Sequence, residues 1–126
     1  MKEIIRTKNA PQAIGPYSQA ILANKTLYTS WQIAIDPTNN QLVIKDIKSE
    51  TKQVMMNLKA VLNAAEMDFS NVVKCTIFLK NMNQYKEINE VYNIFFKKNP
   101  PAREAVQVSE LPKSVNIEIS AIAVKQ

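Results

Sequence analysis

Asn99-Pro100-Pro101 interrupts the chain, and the break constrains the fold more than any other feature. Proline lacks the N–H that a helix needs and disfavours helical backbone in the residue before it. The helical spacing of Ile88, Val91, Tyr92 and Phe95, in a run from Asn83 to Lys98, must therefore stop there. Ala102 to Ser109 then reads as a strand. Val115 to Val124 reads as another, after the turn-forming Glu110-Leu111-Pro112-Lys113-Ser114.

The same reading upstream completes the order. Residues 2–6 start as a short strand. Ser18 to Ala23 and Thr26 to Ser30 are strands joined by a tight turn at Asn24-Lys25. Asp36-Pro37-Thr38-Asn39-Asn40 is turn chemistry. From Asp46 to Glu66, apolar residues at Ile47, Val54, Leu58, Val61, Leu62 and Ala65 mark one face of a helix. Val72 to Leu79 is a buried strand. The sum is an α+β sandwich, one mixed sheet with two helices on one face, in a single domain over residues 1–126. Two helices leave the other sheet face wet, which predicts a homo-oligomer.

Composition excludes several functions. The 126 residues include no histidine and one cysteine, Cys75. A zinc site, a Cys–His pair and an intrachain disulfide are thereby ruled out. One free thiol fits a reducing cytoplasm. No apolar stretch approaches a membrane span, and the first residues lack the apolar core of a signal peptide. The net charge of +5 comes from scattered lysines. They lack interleaved exposed aromatics, which disfavours nucleic acid as a partner.

Arg103 and Glu118 stand out as chemistry. An arginine fork holds a carboxylate bidentately, and a buried glutamate can hold or activate water. If the last two strands form a hairpin turning at Leu111-Pro112, Glu118 lies opposite Ala105, with Arg103 diagonal to it on the same face. Such diagonal neighbours are roughly 7–8 Å apart. A small acid and one water fit that gap; a plain cross-strand salt bridge is the simpler alternative. The only glycine, Gly15, marks a turn that needs glycine backbone; the turn either presents Tyr17 to a pocket or leaves it as ordinary packing. Cys75 reads as a buried inert thiol, and Phe95-Phe96 as core.

Taken in order, several motifs resemble the Rid family of reactive intermediate deaminases, and within it the RidA type. They are Ala13-Ile14-Gly15-Pro16-Tyr17-Ser18-Gln19-Ala20, Thr29-Ser30 with Gln32-Ile33, Pro101-Ala102-Arg103, Leu111-Pro112-Lys113 and Ile117-Glu118-Ile119. The resemblance covers nearly the whole chain. It implies a chorismate-mutase-like fold, a homotrimer with clefts between subunits, and no cofactor. The implied reaction hydrolyses 2-imino acids and their enamine tautomers to 2-keto acids and ammonia. On that basis Arg103 clamps the carboxylate, the backbone N–H of Ala105 adds a donor, Glu118 holds the water, and Tyr17, Ser30 and Asn89 line the pocket. The chain departs from the family at Trp31, where relatives usually carry glycine. The indole either narrows the cleft or turns aside into an interface. A non-catalytic trimer that binds small ligands or acts like a chaperone is the alternative that Trp31 raises; ribonuclease or translation inhibitor is another.

Overall fold

A computed structural model describes residues 1–126. Six strands form one sheet: β1 (Lys2–Ile5), β2 (Ala20–Ala23), β3 (Thr26–Thr29), β4 (Val72–Leu79), β5 (Ala102–Gln107) and β6 (Ile117–Val124). Their spatial order is β1-β2-β3-β6-β4-β5. Every pair is antiparallel except β4–β5, so the sheet is mixed. Two helices, α1 (Ile47–Ala64) and α2 (Tyr85–Phe95), pack on one face. A two-stranded ribbon at residues 35–42, read from sequence only as a turn, precedes α1.

Local chemistry explains the boundaries. Asn24 and Lys25 both have positive φ, 49° and 68°, as a two-residue hairpin turn demands. Asp46 caps α1 by accepting the Ser49 N–H at 2.8 Å. At the far end, the Met67 N–H donates to Leu62 O and the Glu66 N–H to Asn63 O. That is a Schellman closure, with Glu66 left-handed at φ 59°. Gly15 has φ 129°, a conformation closed to side-chain-bearing residues. The expectation that this turn needs its glycine holds.

Alternation splits the sheet cleanly. Cys75, Ile77 and Leu79 of β4 and Ile117, Ile119, Ala121 and Ala123 of β6 are buried under the helices. Val54, Leu58, Val61 and Leu62 of α1 and Ile88 and Tyr92 of α2 meet them in one core. Phe96 joins that core and Phe95 packs against it. On the other face lie Tyr28, Phe78, Val106, Ile122 and Val124, all at least partly exposed.

The final hairpin is not there. β5 pairs in parallel with β4, Cys75 level with Arg103, and β6 lies on the other side of β4, Phe78 level with Glu118. The helix between β4 and β5 is the reason: a strand–helix–strand unit returns its second strand parallel to the first. β5 thereby becomes an edge strand.

Candidate functional site

Arg103 sits on the helix-covered face at that edge. Its cradle comes from one stripe of α2, Tyr85, Asn89 and Tyr92, spaced i, i+4, i+7. Nη1–H donates to Asn89 Oδ1 at 2.7 Å and Nη2–H to Tyr85 Oη at 2.5 Å. The guanidinium carbon lies 5.3 Å from the Tyr85 ring centroid and 4.9 Å from that of Tyr92. Both ring distances suit cation–π attraction. No carboxylate pairs with it: the chain's ion pairs are Lys48–Glu90 and Lys74–Glu104. Glu104, next to Arg103 in sequence, thus points to the opposite face, as strand alternation requires. A half-buried cation held only by neutral groups is short of an anion.

Tyr92 and Cys75 lie beneath. Burial raises the Tyr92 phenol, and its hydroxyl has no well-formed hydrogen bond. Burial likewise raises the Cys75 thiol, 1% exposed, so it is no nucleophile. Ala105 follows Arg103 by two residues on the same face, half-buried against the core.

Glu118 faces the other way. It is 8% exposed, and desolvation alone raises its carboxyl above the ordinary range, with no hydrogen bond or charge opposing it. Just upstream, Asn116 donates through its backbone N–H and its Nδ2–H to the buried Glu50 carboxylate of α1, at 2.7 and 2.8 Å. Those bonds pin the start of β6. Beside Glu118 the β3–β6 register slips by one residue, from Tyr28↔Ile122 to Gln32↔Ile119. Thr29 Oγ1 patches the slip by accepting the Ala121 N–H at 2.9 Å. The irregular segment is Ser30-Trp31. Ser30 Oγ–H donates to Ser18 O at 2.6 Å, tying it to the loop that carries the exposed Tyr17. The Trp31 indole stacks on Phe78, centroids 4.0 Å apart. Trp31 therefore belongs to the Glu118 face.

The residues fall into two groups. Arg103, Asn89 and Ala105 form one; Glu118, Ser30 and Trp31, with the Tyr17 loop tied on, form the other. The strands bearing Arg103 and Glu118 are two apart, about 10 Å, and the residues are offset by about 10 Å along the strand. They also face opposite sides. The diagonal, same-face arrangement expected from a hairpin is thus overturned by the parallel β4–β5 pairing. Surface grooves of about 610, 560 and 510 Å³ contain neither residue. Sequence reasoning missed Tyr85, although its i, i+4, i+7 spacing with Asn89 and Tyr92 was legible. Glu50 was missed too.

Comparison with known proteins decides the family. The family model described as Endoribonuclease L-PSP matches residues 7–125. The human 2-iminobutanoate/2-iminopropanoate deaminase is 47% identical over 99% of this chain and 91% of its own. A structure of the Rid protein YyfA from Yersinia pestis is 47% identical, with TM-score 0.95 over 99% of this chain and 100% of that one. The chain belongs to the Rid family. The E. coli Rid-fold protein TdcF, solved with bound serine, is 38% identical, with TM-score 0.95 over 98% of this chain and 99% of its own. Deaminase relatives at this identity support imine deamination by this Rid chain. No helix is long and apolar enough to cross a membrane.

Proposed function

We propose that the protein hydrolyses small 2-imino acids and their enamine tautomers to 2-keto acids and ammonia, at sites shared between copies of the chain. Arg103 of one copy holds the substrate carboxylate and Glu118 of a second copy holds the water. Arg103 carries this reading: a half-buried guanidinium with no ion-pair partner and unused N–H donors. The bound serine of TdcF, a small molecule bearing a carboxylate, fits the same chemistry.

An imine carbon is already electrophilic. Water adds to it, the resulting carbinolamine expels ammonia, and the ketone remains. Positioning and one proton acceptor suffice, with no cofactor in the scheme. Desolvated Glu118 has a raised proton affinity and is suited to take the water's proton. The backbone N–H of Ala105, on the edge strand, adds a donor to the carboxylate. Tyr17 and Ser30 line the Glu118 half. A homotrimer in a reducing cytoplasm completes the proposal, its interface formed by the exposed sheet face. That face is aromatic and aliphatic around Glu118, and its Lys74 is neutralised by Glu104. A phosphodiester would need free cations there, which favours an imino acid over RNA.

The test is Arg103→Lys, assayed as keto-acid formation while a dehydratase generates the imine. Lysine keeps the charge but loses the planar fork. The catalytic efficiency should fall roughly 10–100-fold. A wild-type rate would remove Arg103 from the mechanism.

A further inference from the structure

Tyr85 meets Arg103 through its hydroxyl as well as its ring, and the hydroxyl matters for what Arg103 can still bind. A guanidinium has five N–H donors, and a carboxylate uses two that lie parallel. Asn89 takes one from Nη1 and Tyr85 one from Nη2. A parallel pair survives only for some choices of those two hydrogens. If both inner hydrogens are taken, the Nε/Nη2 side remains open; if both outer ones are taken, the Nη1/Nη2 end remains. If Asn89 takes the inner Nη1 hydrogen and the outer Nη2 hydrogen is lost, no fork is left. The Nη2 hydrogen that Tyr85 accepts therefore decides whether, and from which side, a carboxylate docks.

The ring cannot make that choice. Cation–π attraction is centred on the face and leaves the guanidinium free to spin in its own plane. Asn89 supplies one point of attachment, which still permits a hinge. The Tyr85 hydroxyl supplies the second. Both residues lie on α2 one turn apart, so a rigid element sets their spacing.

Resting on the carboxylate-clamp role of Arg103, we propose that Tyr85 is a positioning residue for substrate specificity: its hydroxyl locks the guanidinium rotation so that one parallel N–H pair faces the substrate carboxylate. The substrate class it serves is a planar monocarboxylate of 2-keto or 2-imino acid type.

The decisive variant is Tyr85→Phe, which keeps the ring and deletes the hydroxyl. KM for the imine and Kd for 2-oxobutanoate, read by titration calorimetry, should both rise about five- to tenfold. The value of kcat should stay within about twofold, because Glu118 chemistry is untouched. In an Arg103→Lys background the same change should add nothing, since Tyr85 acts only through the fork. Circular dichroism and thermal melts establish that both variants fold. An unchanged KM and Kd in Tyr85→Phe, with Arg103→Lys impaired, would overturn the positioning role and leave the clamp standing. A fall in kcat at constant KM would also overturn it. Wild-type behaviour of Arg103→Lys would bring down the clamp, and Tyr85 with it.

Discussion

Two impaired variants should repair each other when mixed. Arg103→Lys spoils one half-site and Glu118→Gln the other. In one chain these residues stand two strands apart, about 10 Å, on opposite faces of the sheet. A three- or four-carbon acid cannot touch both, so the proposed roles require a site that takes its Arg103 and its Glu118 from different copies. In a randomly mixed 1:1 assembly, a site receives an intact Arg103 half the time and an intact Glu118 half the time. The mixture should then recover about one quarter of wild-type sites, whatever the number of copies in a closed ring. The two variants would be co-expressed with different tags and purified through both tags in turn. Keto-acid formation is compared with each variant alone, which should be depressed roughly 10–100-fold. Dual-tag selection enriches mixed rings, so recovery at or somewhat above that fraction is the expected result. Recovery no greater than the sum of the separate variants, with mixed assemblies present, would refute the shared site.

Light scattering should give about three times the 14.3 kDa chain mass, and a clean monomer at micromolar concentration would contradict the interface. Glu118→Gln should lower turnover roughly 10²-fold while costing no stability at neutral pH. Burial raises the Glu118 carboxyl, so the folded state holds its proton more tightly than the unfolded chain. Wild-type stability should therefore fall as pH rises from the ordinary carboxylate range through the raised folded value, and melts of Glu118→Gln should lack that slope. Trp31→Gly should raise the rate, by roughly tenfold or more with four-carbon and larger imines, and cost about 1–2 kcal/mol of stability through the lost Phe78 stack. Equal rates and substrate range in both proteins would place the indole outside the substrate's path.

Local pattern revealed nearly every element of this fold, and non-local pairing was what it concealed. Asn24-Lys25, the α1 stripe and the prolines at 100 and 101 each act within a few residues, so their consequences were readable. The pairing of β5 and β6 with β4 depends on where α2 returns the chain, and β4 ends more than twenty residues before β5 begins. A strand–helix–strand order did signal a parallel return, but the polar turn at Glu110 to Ser114 imitated a hairpin. The site residues were identifiable one by one. Their division between two faces was not, because a face is assigned only once the pairing is known. Tyr85 escaped notice because the apolar stripe of α2 overshadowed a mixed stripe beside it.

The chain's single glycine has a thermodynamic corollary away from the site. Seven non-glycine residues hold positive φ, from 48° to 68°. Asparagine tolerates that region, but glutamate and lysine sit there at a cost of about 1–2 kcal/mol each. Glu66 is the clearest case, closing α1 at the position where helices most often place glycine. Glu66→Gly would lift the strain at the price of a looser unfolded chain, for a net gain of up to about 1 kcal/mol. Lys25 and Lys113 offer the same exchange. This protein thus carries an untapped reserve of heat resistance in its turns, open to engineering without a single change to the core, the sheet face or the chemistry.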